Sequence, residues 1–304
     1  MMIDTITIYV ALILTGLCFG SFAGATMWRL RSKELAEYKK YDEEYDKVEY
    51  DKLIKLTKAN MINDRSCCLN CSYVLRWYDL LPLLSWLFLR GKCRKCHKPI
   101  GYLEPLIELS VAIFFVLSFM FWPYPLDNVI QIVQFVIWLI AGVGLAISFA
   151  YDSKWFILPD KVSFPLIGIG LINSIITVLM SSDKIGSIYS IVGSVFILSG
   201  IYYILYKISQ GKWIGFGDIK LGLGLGLLLA DYKLAFVALF SANIIGCLVV
   251  LIIMIIQKIS IKTKKTKKLN MKSHVPFGPL LIIGFIIAGL LGNRLIDIYF
   301  SALL

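Results

Sequence analysis

The stretch VIQIVQFVIWLIAGVGLAISFAYD, residues 129–152, carries no charge until its last position. A helix needs about 20 apolar residues to cross a hydrocarbon core of about 30 Å, and this run is long enough. Asp152 therefore stands where a span meets water or a polar cavity, the setting in which an acidic residue beside a greasy helix is read as functional.

Outward from that run the same texture repeats. Hydrophobic residues make up 58% of the chain and the mean hydropathy is +0.76, far above a soluble domain. Eight runs are long enough, or nearly so, to span: 5–27, 103–122, 128–150, 162–180, 188–206, 218–230, 234–256 and 276–292. The sixth is short and rich in glycine. The first reads as a span and not a cleavable signal, since it lacks a basic flank and a small-residue cleavage pattern. The expected fold class is all-α, a polytopic membrane protein with about eight transmembrane helices.

Orientation follows from the cations, because cytoplasmic loops retain Lys and Arg. Of 31 Lys and Arg residues, 16 lie between Arg29 and Lys98 and seven between Lys258 and Lys272. Lys154, Lys161, Lys207 and Lys212 fall in loops of that same side; the other side keeps Lys184, Lys233 and Arg294. The large loop between helices 1 and 2 is thus expected in the cytoplasm, with both termini outside. A net charge of +11 is accounted for by this topology and by anionic headgroups, and gives no reason to invoke nucleic acid.

Within that loop, Leu35, Tyr38, Tyr41, Tyr45 and Val48 recur every three or four positions, which predicts an amphipathic helix from Arg29 to about Asn60. It either lies on the membrane or packs on the rest of the loop. Ahead of it, Gly16, Gly20 and Gly24 form a small-residue face suited to close helix packing. Further on, Cys68-Leu-Asn-Cys71 and Cys93-Arg-Lys-Cys96 are separated by 21 residues. Two C-x2-C pairs at that distance predict a structural zinc site of four thiolates, which leaves no open coordination position for catalysis. Cys67 offers an alternative register and His97 an alternative ligand. Disulfides are disfavoured in a reducing compartment. Cys18 and Cys247 sit inside spans as small apolar residues.

Asp152 has a candidate partner in Ile214-Gly-Phe-Gly-Asp218-Ile-Lys220, 66 residues on, where the sixth run begins on the same side. Two carboxylates sharing a poorly hydrated site also share a proton, so that one activates water while the other polarises a carbonyl. Taken singly, each aspartate also reads as a helix cap or a solvated residue. Asp160, after Pro159, is the runner-up for the first aspartate. Glu104 and Glu108 open the second span; the first suits a helix N-terminus, whereas the second lies deeper and is a candidate for lining a polar cavity.

These residues resemble the type IV prepilin peptidases. Gly20-Ser21-Phe22 with Arg29-Leu30, the four cysteines, Trp77–Trp86, Leu89–Cys93, Pro105–Leu109, Asp152 with Pro159-Asp160, Gly215–Asp218 and Pro276–Pro279 are similar to the family's successive motifs. Arg31 stands where the family often has proline, and Leu103-Glu104 replaces a basic-Tyr pair. The resemblance implies cleavage of prepilin or pseudopilin leaders after a glycine, with Asp152 and Asp218 catalytic. It implies N-methylation of the new terminus from S-adenosylmethionine, with Glu108 as the residue carried over to that cofactor. The implied division is a first transmembrane helix, 1–28, a cytoplasmic zinc-binding loop with the methyltransferase part, 29–102, and a peptidase part with seven helices, 103–304. The implied setting is the bacterial inner membrane, with membrane lipid as a further partner. Presenilin-type intramembrane proteases share the Tyr-Asp and Gly-x-Gly-Asp pair but not the cysteine loop. An ion-coupled transporter using Asp152, Asp218 and Glu108 is the reading from another class, and the chain shows no internal repeat to support it.

Overall fold

The computed structural model describes residues 2–57, 65–262 and 276–302. The end of the expected loop helix near Asn60, most of the basic run ending at Lys272, and His274 lie outside the described residues. Among the described residues there is no strand, only the isolated bridges Cys67 with Val74 and Lys92 with Pro99. The helices are α1 (Met2–Lys40), α2 (Lys47–Thr57), α3 (Leu84–Phe88), α4 (Leu103–Phe121), α5 (Val129–Trp155), α6 (Asp160–Met180), α7 (Lys184–Val195), α8 (Ile201–Ser209), α9 (Phe216–Leu229), α10 (Tyr232–Lys262) and α11 (Phe277–Ser301). A single wide turn, Phe196–Gly200, joins α7 to α8 as one span.

Among the described residues, seven helices are long and apolar enough to cross a membrane: 5–40, 103–121, 129–155, 160–180, 184–209, 232–256 and 277–301. The eighth expected run is α9. Its 14 residues reach about 21 Å, short of the core thickness. It tolerates this length because protein surrounds it: Ile219, Leu221, Gly222 and Gly224–Leu229 are buried. A helix ending inside a bundle must have its last carbonyls bonded. Ser194, Ser174 and Asn173 donate to the carbonyls of Gly226, Leu227 and Leu228, each at 2.8 Å. The wide turn between α7 and α8 sits where α9 comes closest, since a Cβ on Gly222 would lie 2.0 Å from the Leu198 carbonyl oxygen. Ser199 donates to the Ile219 carbonyl beside it. Beyond the C-terminal end of α9, a cavity of about 390 Å³ is lined by Asn173, Thr177, Ser190 and Asp231 among others.

The chain divides into two compact units, residues 1–120 with 142–150, and residues 121–141 with 151–304. Helix α5 contributes to both. In the first unit, Gly16 and Gly20 let α1 approach α4: a Cβ on either would lie 2.6 Å from Ala112 Cα or 2.5 Å from Glu108 Cα. The amphipathic helix expected from Arg29 onward is two elements. Its first part is simply the continuation of α1, which stays helical to Lys40. A break follows at 41–46, where Asp42 takes a left-handed conformation (φ 53°) and the Asp46 carboxylate accepts from the amides of Val48 and Glu49, starting α2. Together the two form a hairpin with Leu35 and Leu53 buried, Ser32 donating to the Leu53 carbonyl, and Arg31 paired with Glu34 and Glu49.

Candidate functional site: an aspartate pair and a cysteine cluster

Asp152 lies one turn before the end of α5, whose last residue is followed by Phe156 in a left-handed cap (φ 57°). Only 5% of it is exposed. Its Oδ2 accepts from the backbone amide of Gly278, at 3.1 Å, in the first turn of α11. That approach needs glycine, because a Cβ on residue 278 would stand 2.6 Å from Oδ2. Asp218 is the third residue of α9, and the Gly215 amide donates back to its carboxylate. That bond is one expected of a helix N-terminus, and the Asp218 carboxylate also feels the charge of Asp152. Leu158 packs where a Cβ on Gly217 would sit, at 3.0 Å, and its Cδ1 reaches the corresponding place on Gly278. Tyr202 of α8 stacks edge-on with Phe277, its ring buried and its hydroxyl buried without a hydrogen-bond partner among the described residues. It too feels the Asp218 charge.

Asp160 is elsewhere in this unit's chemistry. It starts α6, is exposed, and binds Lys220 Nζ.

In the first unit the four cysteines come together. Their sulfurs all lie within 4.8 Å of one another, with Cys68 to Cys96 and Cys71 to Cys93 each at 3.9 Å. Tetrahedral zinc with Zn–S bonds of about 2.3 Å needs sulfurs about 3.8 Å apart, so the donor set fits such an ion. Each pair sits on the same turn. The amides of Ser72 and His97 close back on the carbonyls of Cys68 and Cys93, and both residues are left-handed (φ 58° and 55°). Cys67 forms the bridge with Val74 and lies outside the cluster, as does His97, which closes its turn. Burial pushes the Cys68 thiol up to about 12 against hydrogen bonds from the Cys71 and Asn70 amides. At Cys93 burial is outweighed by the Cys96 and Lys95 amides, and the thiol falls to about 7. Buried Asp79 accepts from Arg94 Nε at 2.8 Å and from the Arg76 amide, tying the second turn to the segment that follows the first.

Beside the cluster a cavity of about 360 Å³ is lined by Cys68, Cys93, Trp28, Trp86, Glu104 and Glu108, among others. Trp28 Nε1 donates to Glu104 at 2.8 Å. Glu108 is buried, and its Oε2 accepts from the Leu83 amide at 2.8 Å. Gly91, left-handed at φ 70°, lies against the Trp86 indole where a Cβ would be 3.0 Å away.

Residues 14–122 match the bacterial peptidase A24 N-terminal domain, and residues 138–252 match the type IV leader peptidase family. The chain belongs to that family. It is 27% identical to the prepilin leader peptidase/N-methyltransferase of Aeromonas hydrophila over 95% of this chain and 92% of that one. The protein of the same name from Pseudomonas aeruginosa is 26% identical, covering 94% and 91%. The type 4 prepilin-like proteins leader peptide-processing enzyme of Escherichia coli is 29% identical over 88% of each chain. No solved structure matches the chain significantly. With seven candidate spans, this family member is a multi-pass protein of the inner membrane and an enzyme of prepilin processing.

Two neighbours of the aspartates were not singled out from the residues themselves. Gly278 stood within a motif known only through resemblance, and its bond to Asp152 spans 126 positions. Tyr202 carries no signal at all, being one aromatic among the apolar residues of a span.

Proposed function

We propose that the protein cleaves the leader of a type IV prepilin or pseudopilin after a glycine, using Asp152 and Asp218 and one water. The observation that carries this reading is the buried Asp152 carboxylate, fixed by the Gly278 amide and electrostatically coupled to Asp218. With one proton shared between the pair, the ionised carboxylate takes a proton from water as its oxygen adds to the glycine carbonyl. The protonated carboxyl gives its proton to the carbonyl oxygen. Collapse of the tetrahedral intermediate breaks the C–N bond, the leaving amine takes up a proton, and the pair returns to its starting state. Each carboxylate thus serves once as acid and once as base, with no covalent intermediate.

The first unit is assigned two further groups. Cys68, Cys71, Cys93 and Cys96 hold structural zinc, for which the sulfur spacing is the support. The neighbouring cavity takes S-adenosylmethionine, with Trp28 and Trp86 offering aromatic faces and Glu104 and Glu108 negative charge to a cationic sulfonium. That cofactor supplies an electrophilic methyl group for the new N-terminal amine. Glu108 lines this cavity as well as holding Leu83, so its contribution is positional and electrostatic. The large loop faces the cytoplasm and both termini face out, as the distribution of Lys and Arg requires.

The peptidase reading is tested by incubating the purified protein with a prepilin carrying a Gly-Phe junction. Appearance of the shortened pilin with a free phenylalanine terminus is expected; uncut substrate would overturn it.

A further inference from the structure

Leu80–Leu89 is an uncharged run within the cysteine-bearing segment, between Asp79 and Arg90. It folds as a turn, a left-handed Leu83 (φ 57°) after Pro82, and the five residues of α3. Its depth is fixed by one hydrogen bond. The Leu83 amide reaches Glu108, and Glu108 lies five positions along α4 from Leu103, about 7.5 Å into that span at 1.5 Å per residue. Its side chain leans back towards the helix start by less than that distance. Helix α1 agrees: Gly20 packs on Glu108, and Gly24, one turn on, lies nearest Glu104 in the first turn of α4. Pro82 and Leu83 are thus level with the apolar part of α4, more than one turn past its first residue.

What the run presents outward suits that depth. Exposure rises along α3 on the side away from the cavity, with Leu84 51%, Leu87 61% and Phe88 81%. Left in water, side chains of this size forfeit the favourable transfer that an apolar surrounding would give them. Several of the run's N–H groups are bonded within the protein, which eases entry into hydrocarbon. Leu83 donates to Glu108, Ser85 to the Leu81 carbonyl, Leu87 to Leu83, and Leu89 to Ser85, while Pro82 has no N–H to satisfy. Beyond the run come Arg90, Lys92, Lys95 and Lys98, cations placed to meet headgroup phosphates.

We propose that Leu80–Phe88 is a re-entrant element embedded in the membrane leaflet on the side of the cysteine cluster, its outer face covered by lipid acyl chains. Its inner face, through Leu80, Leu81, Ser85, Trp86 and Leu89, lines the cavity shared with Glu104 and Glu108. The cavity therefore opens at bilayer level. Resting on the methyl-transfer reading, this placement lets the new amine of a pilin whose apolar helix is still in the membrane reach the methyl donor without extraction.

The test is photo-cross-linking of the full chain in vesicles of phosphatidylethanolamine and phosphatidylglycerol. Benzoylphenylalanine replaces Leu84 or Phe88, with Leu109, exposed on α4, as the lipid-facing control and Tyr41, exposed beyond the span of α1, as the aqueous one. Lipid adducts by mass spectrometry at 84 and 88, at yields within about threefold of position 109 and absent at 41, are expected. Adducts at 109 with none at 84 or 88 overturn the proposal. So do adducts at 84 and 88 that disappear when a prepilin is added and are replaced by cross-links to it, which would make this face a substrate-docking surface. Neither readout uses methyl transfer, so loss of that activity leaves the membrane placement separately decided.

Discussion

The Gly278 amide donates to Asp152 Oδ2 at 3.1 Å, joining the first turn of α11 to the last turn of α5. One oxygen of Asp152 is thereby held, and the carboxylate is aimed by a backbone that no rotamer change can release. Because a methyl on residue 278 would stand 2.6 Å from that oxygen, Gly278→Ala displaces the carboxylate or the helix. A hydrogen bond to a charged group contributes about 1.5–3 kcal/mol. Cleavage by Gly278→Ala is expected to fall about 10- to 100-fold, measured on a prepilin in membranes, with metal content unchanged.

Tyr202 offers a different handle. Its buried hydroxyl has no hydrogen-bond partner among the described residues and lies within the field of Asp218. If the hydroxyl serves only packing, Tyr202→Phe removes an unsatisfied polar group and is neutral or stabilising. We expect instead a fall in kcat of about tenfold with KM and thermal stability unchanged, which marks a hydroxyl that bonds the reacting groups.

Asp79 separates the two activities. With its side chain buried, it takes both Arg94 Nε and the Arg76 amide, and so braces the second cysteine turn. Asp79→Ala removes their shared acceptor and loosens the turn, while the exposed Arg94 head is taken up by water and the rest of the fold is kept. Methylation of a pre-cleaved pilin is expected to drop at least fivefold, while leader cleavage, which the proposed function assigns to residues of the other unit, keeps at least half its rate.

Metal binding to thiols displaces protons, so affinity falls as pH falls. Chelator competition on the purified protein should find one zinc per chain, held at least tenfold more weakly at pH 6 than at pH 8. Cys71→Ser and Cys93→Ser should each lose it. A chain that folds with no stoichiometric zinc at pH 8 would contradict the assignment of the cluster.

Much of this was legible in the residues, for reasons that differ by element. The spans read directly because hydrocarbon demands long apolar helices, and even the short α9 was visible as a run. What made its shortness tolerable, the capping of its last carbonyls by Asn173, Ser174 and Ser194, was not, since these serines and asparagine look like ordinary breaks in apolar runs. The cysteine spacing carried its own geometry: the sulfurs of Cys68, Cys71, Cys93 and Cys96 come together, while Cys67 bridges to Val74 and His97 closes a turn. The loop helix was read as one piece because its apolar period runs through the break at 41–46, where Asp42 and Asp46 reset the backbone. Asp152 and Asp218 were readable as costly carboxylates at span ends. Asp160 was separable only once Lys220 was seen beside it. Gly278 and Leu83 act through backbone amides on distant carboxylates, and nothing in a residue's identity announces where its amide points.

The most direct measurement is leader cleavage by Asp152→Asn and Asp218→Asn, each isosteric with the native residue, alongside methylation of a pre-cleaved pilin by the same preparations. Removing an acid–base group of this kind typically lowers a rate by 10²–10⁴-fold. Cleavage reduced at least a hundredfold in both variants, with methylation retained, is the expected result. Cleavage by either variant within tenfold of the native rate would contradict the aspartate pair as the cutting machinery.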